Sequence, residues 1–233
     1  MHADPFIATP TGEGLSITAP WSPPPLHEQV YASILEAICD GVLKTGDRIN
    51  QDALAARLNV SRQPVTQALT LLKAQGFLSE TGRRGLVVAP IQRGFFVSLY
   101  QLRESLDPMA ARLAARNAGA LSRADGHALI ERGQVALLQD SVAKLTSADM
   151  AFHMWIYESS GNPLMAEMLK LYWHHLRRSM VAVVEPAHER RRVWEEHRAV
   201  LEAVLAGDEE LAAKLSLQHI KDAAERVLQR LPE

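Results

Sequence analysis

Residues Leu54 to Leu72, reading LAARLNVSRQPVTQALTLL, constrain this chain more tightly than any other stretch. Leu54, Ala55 and Leu58 share one apolar face, and Val65, Ala68, Leu69 and Leu72 follow at i, i+3, i+4 and i+7. That spacing predicts two short amphipathic helices joined by a turn at Asn59-Val60. Ser61 is placed to cap the second helix, its hydroxyl accepting from the unpaired N–H groups of the first turn. Pro64 falls in that same turn, where a missing N–H does little harm. The opposite face carries Arg62, Gln63, Thr66, Gln67, Thr70 and Lys73, with no acidic residue. Such side chains reach guanine, adenine and thymine edges, or phosphates, from a helix laid in the major groove. A helix-turn-helix presents its second helix in this way. A plain helical hairpin would show a solvated polar face here too, but an arbitrary surface would carry acids among its bases.

Composition narrows the DNA reading. The formal net charge is −2 over 233 residues, so the whole protein is no general polyanion binder. A local patch exists: Arg57, Arg62, Lys73, Arg83 and Arg84 are opposed over positions 57–84 only by Glu80. The single cysteine, Cys39, rules out an internal disulfide and fits a reducing compartment. There is no secretory signal pattern, and no apolar run nears the roughly 18–20 residues of a membrane helix. A soluble, cytoplasmic protein is expected.

Residues 1–25 are rich in Pro, Gly, Thr and Ser and read as a disordered tail. A first helix is predicted over 26–40, stopped by Gly41. Asn50 is placed to cap the next helix, and Gly76 to end the recognition helix. Phe77–Glu80 and Leu86–Ala89 read as strands around the tip Thr81-Gly-Arg-Arg-Gly85. Directly after a recognition helix, that hairpin reads as a wing laying Arg83 and Arg84 on phosphates or in the minor groove. A solubilising hairpin is the plainer alternative. From Pro90 the strand signals stop. Six helices are predicted near 97–118, 122–140, 143–159, 163–181, 187–206 and 209–230, with short links that imply antiparallel neighbours. The expected fold is mainly α: a winged helix-turn-helix over 26–90 and an antiparallel six-helix bundle over 91–233.

A second site is predicted inside the bundle. Asp149 and His153 share a helix face. His197 lies ten residues before Gly207 and His219 eleven after Asp208. In an antiparallel hairpin both then stand roughly 15 Å from the turn, at 1.5 Å per residue. One carboxylate and three imidazoles could meet at that level, a donor set suited to zinc, nickel, manganese or iron with positions left open. Ordinary buried histidines give the same spacing, so the pattern alone leaves both readings standing. His174, His175 and His188 fall outside the alignment and read as surface or packing residues. Arg103 sits among Leu99, Leu102 and Leu106, where it could snorkel, pair with Glu104 or Asp107, or grip a carboxylate ligand.

The stretch Leu54–Leu69, with Gly76 and the Gly-Arg-Arg-Gly tip, resembles the winged helix-turn-helix of GntR-type bacterial regulators. The helical part resembles the FCD ligand-binding domain of their FadR-like branch. It does so through Arg103 with Asp107, Ala110–Ala115, Asp149-Met-Ala-Phe-His153, Ser160-Gly-Asn162, Glu196-His197 and His219. Six helices rather than seven look like the smaller, VanR-type subgroup. The likeness spans about residues 26–230.

The resemblance implies a homodimeric transcription factor, usually a repressor, whose bundle binds a small carboxylate beside a divalent metal. It implies Asp149, His153, His197 and His219 as metal ligands, zinc first among the candidates, and Arg103 as an effector contact. On the DNA side it implies Arg57, Arg62, Thr66, Gln67 and Gly85, to which the reading above adds Ser61, Gln63, Arg83 and Arg84. Two departures stand out. Thr66 replaces the usual base-reading arginine, a change worth about 1–3 kcal/mol of discrimination at one base, and Asp107 replaces a glutamate.

The expected function is therefore a DNA-binding, ligand-responsive regulator, released from its operator by an organic acid, with no catalytic residues and no membrane partner. A metal-sensing regulator is the near alternative. A metal-dependent hydrolase is the distant one, because no general base or nucleophile accompanies the cluster.

Overall fold

The computed structural model describes residues 24–82, 85–182 and 186–231, so the expected tail over 1–23 and the wing arginines Arg83 and Arg84 lie outside the described residues. The N-terminal part runs α1 (Leu26–Cys39), β1 (Arg48–Ile49), α2 (Gln51–Leu58), α3 (Arg62–Ala74), β2 (Leu78–Thr81) and β3 (Gly85–Val88). The strands form one antiparallel sheet in the order β1-β3-β2, with Thr81 paired to Gly85 at the hairpin end. Its core joins Ile34, Leu35 and Ile38 of α1 to Val65, Leu69 and Leu72 of α3, closed by Phe77 and Val88. This is the winged helix-turn-helix that the apolar spacing predicts. β1 was not anticipated, because two residues carry no alternation to read.

Capping separates the two helices of the motif. Asn50 Oδ1 accepts from the N–H groups of Asp52 (2.9 Å) and Ala53 (3.1 Å), so α2 starts as expected. Asn59, with φ 53°, closes it in the left-handed region, where Asn is tolerated. Ser61 takes the N-cap position of α3 in an extended conformation, yet its side chain makes no capping bond. The reason lies three residues on. A cap hydroxyl accepts from the second or third helical N–H, and here the third is Pro64, which has none. The proline that suits the first turn thus removes one of the two targets the serine needs.

The C-terminal part holds α4 (Arg93–Arg116), a short 3-10 turn (Ala118–Ala120), α5 (Arg123–Leu138), α6 (Val142–Ser159), α7 (Pro163–Ala182), α8 (Ala187–Ala206) and α9 (Glu209–Arg230). α4 packs along α9 and against α6, α7 and α8, which places it at the centre of the bundle. The Ala-rich run Ala110, Ala111, Ala114 and Ala115 is fully buried, letting helices approach closely. α5 meets α8 through a glycine: a Cβ on Gly133 would fall 2.2 Å from the Trp194 ring. That close approach seats Trp194 in the bundle.

α7 also touches the winged domain. Arg177 Nη1 donates to both oxygens of Glu36 (2.8 and 2.7 Å), and Nη2 donates to Asp40 (2.5 Å). Arg178 donates to Thr45 Oγ1 (3.0 Å) and to the Ala89 carbonyl. His175 stacks on Phe77 with ring centroids 4.1 Å apart, and its Nε2 lies 3.0 Å from the Gln75 carbonyl. Gln75 is the residue that ends α3. One helix of the bundle is therefore bonded directly to the end of the recognition helix. Among the described residues no helix is long and apolar enough to cross a membrane.

Candidate functional site

Four helices converge on one buried point. α6 supplies Asp149 and His153 one turn apart, α8 supplies His197, α9 supplies His219 and α4 supplies Arg103 and Asp107. All six are buried. His197 Nε2 and His219 Nε2 lie 3.2 Å apart. Asp149 stands 3.4 Å from His197 Nε2 and 4.0 Å from His153 Nε2. One donor atom from each histidine fits within a 4.8 Å span. His197 and His219 therefore stand at one height in the α8–α9 hairpin, as their near-equal distances from the Gly207-Asp208 turn predict.

The arrangement suits a divalent cation on its own chemistry. Zinc–nitrogen bonds of about 2.0–2.1 Å put two tetrahedral ligand nitrogens roughly 3.3 Å apart; His197 and His219 stand at that spacing, while the full three-histidine set spans up to 4.8 Å. Two of the rings have a carboxylate behind them, hydrogen-bonded in the case of His219. Glu196 lies 2.9 Å from His219 Nδ1, and Asp107 lies 3.6 Å from His153 Nδ1. Backing of this kind fixes ring orientation at metal sites. Burial, and then the positive charge of Arg103, holds His153 well below the usual imidazole range. Burial followed by His219 does the same for His197. Both are neutral at pH 7, the form that can donate a lone pair to a metal.

Arg103 does not snorkel, and its partner is Asp107 rather than Glu104. Its Nη2 donates to Asp107 (2.8 Å) and lies 3.5 Å from His153 Nε2. Tyr157 donates its hydroxyl to the other Asp107 oxygen (2.5 Å). Burial opposes the Arg103 charge, but the Asp107 carboxylate outweighs it and holds the guanidinium protonated. Arg103 Nε is buried with no hydrogen-bond partner.

Asp149, His153, His219 and Arg103 open into a cavity of about 90 Å3. Its walls include Leu145, Trp173, Leu176 and Trp194, and Arg190 and Arg226 also line it. These wall residues were missed from sequence. A signal for three positions existed: Val142, Arg190 and Arg226 stand seven residues from Asp149, His197 and His219, two turns along the same faces. The two tryptophans carry no such mark, because an apolar-face tryptophan reads simply as core.

The residues expected to face DNA are exposed. Arg57, Ser61, Arg62, Gln63, Thr66 and Gln67 are all solvent-accessible, and Gly85 is half-buried. Arg62 is paired with Asp52 of α2. Thr66 donates its hydroxyl to the Arg62 carbonyl (3.0 Å). Lys73 pairs with Glu80.

Comparison with known proteins follows the same division. The family described as "Bacterial regulatory proteins, gntR family" matches residues 26–88, and the FCD domain matches residues 98–222. The HTH-type transcriptional regulator YdhC of Bacillus subtilis (strain 168) is 24% identical over 212 residues, covering 91% of this chain and 95% of that protein. The Nta operon transcriptional regulator of Aminobacter aminovorans is 28% identical over 191 residues, covering 80% and 87%. The solved structure of E. coli McbR/YncC superposes with a TM-score of 0.74 at 24% identity, over 88% of this chain and 98% of that one. At that identity the likeness is one of fold.

Proposed function

The chain belongs to the GntR family of bacterial transcriptional regulators and carries an FCD domain, and from that premise we propose that it is a homodimeric repressor released from operator DNA by a small carboxylate bound beside a divalent metal. The observation that carries this reading is the set of buried imidazole nitrogens, joined by Asp149, facing a cavity that also holds Arg103. Asp149, His153, His197 and His219 would hold the metal, with zinc the first candidate. Bound there, the metal would supply a Lewis-acidic anchor for a carboxylate oxygen. Arg103, already paired with Asp107 through Nη2, would take the acid through its remaining N–H groups.

Release runs through α7. Trp173 and Leu176 form cavity wall, while His175, Arg177 and Arg178, interleaved with them, grip the winged domain. A ligand that moves the wall moves the end of α3. In a dimer that changes the spacing of two recognition helices against two half-sites. By linkage, operator DNA then weakens acid binding by the same factor.

Metal analysis of purified protein, with operator mobility shifts on loaded and chelated samples, tests the reading. About one metal per chain is expected, falling to background in His153→Ala and His219→Ala, with an organic acid needed for release. No bound metal in zinc-loaded wild type would overturn the site. Release by metal alone would make the metal itself the signal.

A further inference from the structure

The outer face of α5 and α6 carries a groove away from the effector cavity. Ala128, Glu131, Arg132, Val135 and Gln139 of α5 fall at helical spacing and line it together with Ala143, Lys144 and Ser147 of α6. All of these are exposed. Val135 is 50% exposed, and Leu138, three residues on, is 87% exposed. Among the described residues no other helix carries two large apolar side chains so open to solvent. A single exposed apolar residue is ordinary, but a pair beside a groove of small residues is what a contact surface shows.

The charges on this face lack partners within the chain. Among the described residues neither Glu131 nor Arg132 makes a side-chain hydrogen bond or an ion pair. Lys144 Nζ donates to the Gln139 amide oxygen (2.6 Å) rather than to a carboxylate. Arg112 and Arg116 of α4, by contrast, reach Glu210 and Glu209. An acid and two bases on one face suit a second copy of the same face, because in a twofold contact residue i meets j and j meets i. Let the axis pass at Val135 with the two α5 helices antiparallel. Glu131, four residues before the axis, then stands opposite the partner's Gln139, four residues after it. The lysine bonded to that glutamine gives Glu131 its cation, and symmetry makes the pair twice.

Resting on the homodimer of the reading above, we propose that the two copies meet through the α5–α6 face, with Val135 on the axis and Glu131 paired to the partner's Lys144. The contact lies one helix from the effector cavity. α6 turns Ala143, Lys144 and Ser147 outward and Val142, Leu145 and Asp149 into the cavity. Gly133 of α5 seats Trp194, which is also cavity wall.

Sedimentation velocity of the full chain over a dilution series tests this, with far-UV circular dichroism as the check on folding. Wild type is expected to dimerise. Glu131→Lys and Lys144→Glu are each expected to weaken the dimer about tenfold, since two pairs turn repulsive at once. The double swap, Glu131→Lys with Lys144→Glu, is expected to restore it. A wild type that stays monomeric throughout overturns both this inference and the homodimer it rests on. Dimers unaffected by either single reversal overturn the inference and leave the homodimer standing. Weakening that the double swap does not reverse removes the charge pairing and overturns the inference as well.

Discussion

Asp107 serves three groups at once. It pairs with Arg103, accepts from Tyr157 and stands behind His153. Burial pushes the Tyr157 hydroxyl above its usual range, and the nearby Asp107 carboxylate adds to that, so the phenol stays a donor. Asp107→Leu would leave Arg103 charged in a closed interior without its counterion. Removing one partner of a buried pair costs about 3–5 kcal/mol. Urea unfolding should register a loss of that order, and an unchanged midpoint would mean Arg103 finds another partner. The family resemblance marked Asp107 as a departure from glutamate. What the sequence could not show is that the shorter acid still reaches three partners, since that depends on how closely α4 and α6 approach. The same limit hid the cap at Ser61. Serine is the right residue type for the cap, but the bond also depends on Pro64, which supplies no N–H at the third helical position.

At the level of helices, most of the architecture was readable. Breaks read at Gly119, Asp140-Ser141, Gly161-Asn162-Pro163, Pro186 and Gly207-Asp208 fall between the described α-helices, and their short links imply antiparallel packing. The histidine tier was readable for a geometric reason: two histidines equidistant from one turn stand at one height if the hairpin closes. α7 was not readable in this way. From sequence His174 and His175 read as surface or packing residues, and nothing local signals that His175 lies against Phe77 from another domain. Burial holds His175 down to about 4, below the ordinary 6.5, with Arg178 and His174 adding to the shift against the Gln75 carbonyl. Between those values the unfolded chain binds a proton that the folded chain refuses. The stabilisation is therefore complete above pH 6.5 and declines as pH falls toward 4. Urea melts of wild type and His175→Gln from pH 7 to 4.5 should show the gap between them closing with acidification. A gap independent of pH would mean His175 acts only through packing.

Over the whole molecule, a net charge of −2 leaves DNA binding to one face. That face is partly self-occupied, since Arg62 is paired with Asp52 and Lys73 with Glu80. Operator phosphates must displace these acids. Asp52→Asn should tighten operator binding, by no more than about fivefold, because an exposed pair is worth up to about 1 kcal/mol. The gain should shrink as salt rises. Weaker binding by Asp52→Asn would show that the acid orients Arg62 for its contact.

The contact between α7 and α1 also bears on how such proteins could be recombined. Arg177 reaches two carboxylates, Glu36 and Asp40, set one helical turn apart. That spacing gives one guanidinium two anchors. A C-terminal domain of this kind grafted onto a foreign winged domain should couple best where the recipient's first helix presents acids four residues apart. Chimeras lacking them would keep only contacts of the Arg178 and His175 kind and should couple the two domains more weakly.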